Sequence, residues 1–216
     1  MSDGRRGLYK LGGVSLIVSG VLFLVRHLFD LMAGPPPAEG VAILAWVASG
    51  KFALEMSVEV LFFAGMALIP GTLALHESLV RTDRAKAGTG CGILAAAIPL
   101  LLMIDIVQGR LVYPVYGIRI TSPAVAEFAV ALFHGGLHAV DIMFGVATIV
   151  LSLAMVRGGY GKVVAFLGFA TGVLDIVGAY PYAIGPALTL VCQLFFSAWF
   201  VAVGAKLYGM HPAGTS

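Results

Sequence analysis

Charge is scarce in this chain: Asp, Glu, Lys and Arg make up 11% of its 216 residues, where a soluble domain carries about 25%. No run of Lys or Arg occurs and the formal net charge is +2. There is thus no basic surface for phosphates, which excludes nucleic acid as a partner. Cysteine is nearly absent as well. Cys91 and Cys192 both sit in apolar stretches and form no CxxC pair, so redox and structural-zinc readings lack support. No HExxH occurs either, and with it goes the usual zinc-protease signature.

What the chain has instead is hydrocarbon, with 60% apolar residues and a mean hydropathy of +1.00. A disordered or water-soluble chain is excluded, and the lipid bilayer of the cell membrane becomes the expected solvent. A spanning helix takes about 20 mostly apolar residues to cross roughly 30 Å of hydrocarbon. The sequence predicts an all-α, polytopic helical bundle forming one transmembrane domain over 1–216, with six spans at about 11–31, 52–75, 88–107, 136–156, 163–179 and 187–207. Gly34-Pro35-Pro36-Pro37 closes the first. Arg5, Arg6 and Lys10 precede it like a signal-peptide n-region, but Arg26, His27 and Asp30 occupy the place of a cleavage site, so the span is read as retained. The stretch 41–50 is expected along the surface, with Trp46 at headgroup depth. Residues 124–157 exceed one span and are expected as an interfacial segment near Glu127 leading into the fourth.

Lys and Arg set the orientation. With a cytoplasmic N-terminus, Arg5, Arg6, Lys10, Arg81, Arg84, Lys86, Arg157, Lys162 and Lys206 lie inside, and Arg26, Lys51, Arg110 and Arg119 outside, nine of thirteen against four. Both termini are therefore expected in the cytoplasm. The acids distribute oppositely. Asp3, Glu77 and Asp83 fall inside, whereas Asp30, Glu39, Glu55, Glu59, Asp105, Glu127, Asp141 and Asp175 fall outside or in the outer halves of the spans. Acids contribute little to topology, so this clustering points to a site.

At about 1.5 Å of rise per residue, Glu59, Asp105, Asp141, Asp175 and Gln193 share one slab below the outer boundary, and Arg26 and His27 reach similar depth. Charges at that depth cannot face lipid cheaply, so they are expected to face one another. The candidate binding set is Arg26, His27, Glu55, Glu59, Asp105, Asp175 and Gln193. On one helix face, His134, His138 and Asp141 follow at i, i+4 and i+7, as a transition-metal site would require. The bland alternative has both histidines bonded to loop carbonyls and Gly135-Gly136 breaking the helix. His76-Glu77 reads as a solvated boundary pair, and His211 lies in the tail.

Two outward-running spans end alike, in Asp105-Ile106-Val107 before Tyr113-Pro114 and Asp175-Ile176-Val177 before Tyr180-Pro181, and Asp30 before Gly34-Pro35 is a weaker third. Their spacings of 75 and 70 residues suit a three-hairpin repeat, a common plan in transport folds. Gly12, Gly13, Ser15, Ser19 and Gly20, with Gly168, Gly172 and Gly178, read as close-packing faces between helices.

Gly20-Val21-Leu22-Phe23-Leu24, together with Ala53-Leu54-Glu55, Glu59 and Gly65-Met66-Ala67-Leu68-Ile69-Pro70, resembles an uncharacterised family of prokaryotic six-span integral membrane proteins over about the first third of the chain. That resemblance implies a fold and no activity. The outward-facing acidic and histidine pocket points to a permease or binding protein for a metal cation or small cationic solute, with an intramembrane metal-dependent enzyme as the alternative and a non-catalytic subunit or scaffold as the further one. A homo-oligomer is compatible with each.

Overall fold

The structure of the protein is a computed structural model that describes residues 2–210, with side chains from residue 4 onward. The side chain of Asp3, and His211, lie outside the described residues. Within them the chain is all-α, with seven helices: α1 (Ser2–Ala33), α2 (Gly40–Ser49), α3 (Lys51–Leu79), α4 (Arg84–Val112), α5 (Pro123–Met155), α6 (Lys162–Gly178) and α7 (Pro181–Gly209). α1, α3, α4, α5 and α7 are long and apolar enough to cross a membrane. The expected second through sixth spans each sit inside a longer helix except α6, which has 17 residues and reaches about 26 Å at 1.5 Å per residue.

The stops are local chemistry. α1 ends where Gly34 takes a positive φ of 72° ahead of three prolines that cannot continue a helix. Proline also opens α5 and α7, where its missing N–H is no loss. The chain between α4 and α5 closes in a tight reversal bridging Val115 and Ile118. The expected segment near Glu127 and the fourth span are continuous: α5 is one helix from Pro123 to Met155, so the alternative in which Gly135-Gly136 breaks the helix does not occur. Gly136 packs directly against Ile104 of α4, so tertiary contact supports the helix across the pair. The interruption lies in α7 instead, where Gly185 at φ 75° precedes Pro186.

The five long helices and α6 form a closed ring. α1 packs on α3, α3 on α4, α4 on α5, α5 on α6, α6 on α7, and α7 back on α1. Neighbours around the ring are thus neighbours in the chain, and consecutive members run antiparallel. The outer surface of the ring is apolar, with Phe63, Met103, Ile106, Phe128, Phe166 and Val173 exposed, more apolar surface than a soluble monomer displays. The small residues do close the helix contacts: α1 and α7 touch backbone to backbone at Gly13 and Gly204, and α5 and α6 do so at Gly145 and Gly172.

α2 lies across one end of the ring against α5 and α3. Its first amide, Gly40 N, donates to Glu127 Oε1 on α5 at 2.6 Å, so Glu127 satisfies a helix N-terminus from another helix. Trp46 Nε1 donates to Ala33 O at 2.8 Å and ties α2 to the end of α1. Glu127→Gln should leave the fold intact and raise amide exchange across 40–49 about five-fold, the size expected for weakening one charge-assisted hydrogen bond; hydrogen-exchange mass spectrometry reads it directly.

At the opposite end Asp83 caps α4, accepting from Lys86 N at 3.1 Å and pairing with the Lys86 ammonium. That ammonium first, and the backbone N–H second, hold the Asp83 carboxyl below its ordinary value. A carboxyl depressed in the folded state stabilises above its unfolded pKa, about 3.9, and the contribution fades as pH falls through the folded one. Wild type should therefore melt above Asp83→Ala at neutral pH, and the two melting curves should converge as the Asp83 carboxyl takes up its proton in acid.

Candidate functional site

Six helices deliver side chains to one cavity inside the ring. Arg26 comes from α1, Asp141 from α5, Asp175 from α6, and Thr189, Cys192 and Gln193 from α7, while Leu61 of α3 and Leu101 of α4 complete an apolar wall with Phe23 and Phe196. The cavity holds about 60 Å³, several times the roughly 10–15 Å³ that one water needs on this measure. It therefore suits a small ion with a few waters and excludes a large organic solute.

Arg26 is placed by its own helix. Its Nε lies 2.9 Å from Asp30 Oδ2, one turn on, and Asp30 also accepts from Ser57 Oγ of α3 at 2.5 Å. Arg26 is also a charged neighbour of Asp105 and Asp141. Asp175 is 7% exposed, and its Oδ2 has no hydrogen-bond partner, nor does Gln193 Nε2. Asp141 is the charged neighbour of Asp175. The one cationic side chain among the described residues lining the cavity is thus ion-paired to Asp30, though its Nε makes no hydrogen bond, while Asp141 shares the wall with the unpartnered Asp175 Oδ2 and Gln193 Nε2. A buried carboxylate with a second acid as its charged neighbour is stable only when a proton or a cation compensates it.

The α7 kink shapes this wall. Thr189 Oγ1 donates back to Gly185 O at 2.9 Å, covering a carbonyl beside the break and turning the next residues of α7 toward the cavity. Over it, His138 Nδ1 bonds Ala179 O at 2.8 Å, and its ring meets Tyr180 edge-on at 4.6 Å. His138 thereby fastens α5 to the α6–α7 connection.

The residues expected from the sequence separate into groups. Arg26, Asp141, Asp175 and Gln193 meet in the cavity. Asp105 is buried on α4 with Oδ1 unpartnered, and His27 is buried with Nε2 unpartnered, but neither lines the cavity. Glu55 pairs with Lys51 at 3.5 Å, and Glu59 is exposed. The metal set does not assemble: His134 is exposed, His138 is taken by a carbonyl, and among the described residues no three His, Cys, Asp or Glu side chains group to hold a metal ion. Three residues on one helix face supply one side of a coordination sphere, and no second helix presents the other side here. Sequence reasoning missed Thr189 and Cys192 as lining residues and Ser57 as the partner of Asp30. Thr189 lies one turn before Gln193 on the same face, a spacing that could have found it.

No protein-family model matches this chain, and no curated protein or solved structure is significantly similar to it, so its function is read from the cavity itself.

Proposed function

We propose that this chain is a six-span protein of the cell membrane that binds a small monovalent cation in its central cavity and serves as a permease or binding protein for it. The observation that carries this reading is the unpartnered Asp175 Oδ2 facing Gln193 and Asp141 in a cavity of about 60 Å³ whose arginine is already paired. A scaffold would have its buried polar atoms satisfied internally. A metal-dependent enzyme would need three gathered ligands, and the described residues offer no such group.

In this reading α6 is the sixth span, short but sheltered between α5 and α7. The excess of Lys and Arg at one end supports cytoplasmic termini, which turns the end bearing α2 outward and sets the cavity nearer that face. The ring also favours three hairpins, α1 with α3, α4 with α5 and α6 with α7, each carrying an aspartate on its outward-running member: Asp30, Asp105 and Asp175.

Purified full-length protein titrated calorimetrically with ammonium, sodium, potassium and choline chlorides tests the proposal. Saturable binding of at least one of the small cations is expected, with none of choline, whose trimethylammonium head does not fit. Absence of saturable binding by all of the small ones, or equal binding of choline, overturns it.

A further inference from the structure

We propose that protons travel between the cavity and the opposite end of the bundle along a seam of buried hydroxyls where α5, α6 and α7 meet. This rests on the cavity reading and adds the proton as its coupling ion. On α5, Asp141, Thr148 and Ser152 follow at steps of seven and four, which keeps them on one face. On α7, Ser197 lies one turn beyond Gln193, and on α6, Thr171 lies one turn before Asp175. Because α6 is antiparallel to its two neighbours, all three series lead away from the cavity in the same direction.

Thr148, Ser152, Thr171 and Trp199 are 0% exposed and Ser197 5%. Thr171 Oγ1 donates to Phe195 O at 3.1 Å. Thr148 Oγ1, Ser152 Oγ, Ser197 Oγ and Trp199 Nε1 have no hydrogen-bond partner. Ser152 Oγ and Trp199 Nε1 both occupy the space a side chain on Gly168 would fill, so the bare glycine is what lets these two polar atoms approach. At the far end of the bundle Tyr160 OH and Ser78 Oγ share a 2.6 Å hydrogen bond.

An unpartnered buried hydroxyl is costly, and a file of them is tolerated where single waters bridge one to the next. A hydroxyl both donates and accepts. It can take a proton on a lone pair while releasing its own to the next acceptor, with no net charge left behind. A proton entering beside Ser152 is thus passed to Thr148 and, through bridging waters across the two helical turns of about 10.5 Å that separate Thr148 from Asp141, to a carboxylate of Asp141 or Asp175, and turning of the hydroxyls and waters resets the file. The indole of Trp199 only donates, so it orients and does not relay. The charged neighbours of the receiving groups are Arg26 and His138 for Asp141, and Asp141 for Asp175. The seam itself has no ionisable side chain, so it passes protons and not the cation.

Full-length protein in liposomes loaded with a pH-sensitive dye, driven by a valinomycin-set potassium potential, tests this. Wild type should carry protons, and Ser152→Ala and Thr148→Val should each slow the flux about ten-fold, since each removes one hydrogen-bonding step from the relay. Thr148→Ser, which keeps the hydroxyl, should run near the wild-type rate. Ammonium binding should be unchanged in all three. No proton flux in wild type, or Ser152→Ala at the wild-type rate, overturns the seam even if Thr148→Val fails to fold. Proton flux that depends on Ser152, without cation binding, would keep the seam and discard the cation reading.

Discussion

Asp175→Asn is expected to weaken small-cation binding at least about 100-fold, close to 2.7 kcal/mol, while the empty protein melts at a higher temperature than wild type. The two effects share one cause. Asp175 is almost fully buried, its Oδ2 has no partner and its charged neighbour is another acid. With no cation bound, that carboxyl is either a desolvated charge or a proton-neutralised group left without a partner, and both cost the fold stability. Asparagine fills the same volume and carries no charge, so the strain is relieved together with the attraction. A gain of about 1 kcal/mol corresponds to roughly 2–4 °C in a chain of this size. Calorimetric titration and thermal unfolding in cation-free buffer give both numbers on one preparation. A variant that binds normally would remove Asp175 from the site. One that loses both binding and stability would show that the carboxyl holds the helices together, as in a scaffold.

Gly204→Val should be the most damaging change to the fold itself, costing at least about 3 kcal/mol and yielding aggregate instead of a monodisperse peak on size-exclusion chromatography. A Cβ at position 204 would come within 2.6 Å of Gly13 O, and one at position 13 within 2.7 Å of Gly204 O. The obstacle on each side is backbone, which cannot rotate away as a side-chain end would. Close approach also supplies the dispersion contacts that hold helices together where lipid is as apolar as leucine. Gly92→Ala is the matched control. It lies on α4 with open space around it, and alanine is the better helix former by about 1 kcal/mol, so its melting temperature should hold or rise.

Much of this architecture can be read from the chain, and the limits of that reading have a geometric source. Counting residues from a boundary gives height along a helix, and height placed Arg26, Asp141, Asp175 and Gln193 in one slab. Direction around the helix axis is set by the neighbours, which the count does not contain. Glu59 shares the height but sits beside Tyr113 outside the cavity wall, Glu55 turns to Lys51, and His134 does not line the cavity. Small residues were easier to interpret, because Gly13, Gly20, Gly168 and Gly172 sit where a larger residue would collide. The hydroxyls were invisible for the opposite reason. Thr148, Ser152 and Ser197 look unremarkable in apolar text, and only burial without partners sets them apart. The continuous helix through Gly135-Gly136 is the other feature that residue types obscure, because a glycine pair reads as a helix breaker.

The order of helices around the ring also dictates how the cavity is made. A ribosome feeding a translocon releases these segments one after another, and each arrival docks against the segment just before it. α7 brings Thr189, Cys192 and Gln193 and is the piece that must find α1, inserted earliest, to shut the circle. A nascent product halted ahead of Pro181 would leave Asp175 on an open flank, a natural signal for membrane quality control to recognise.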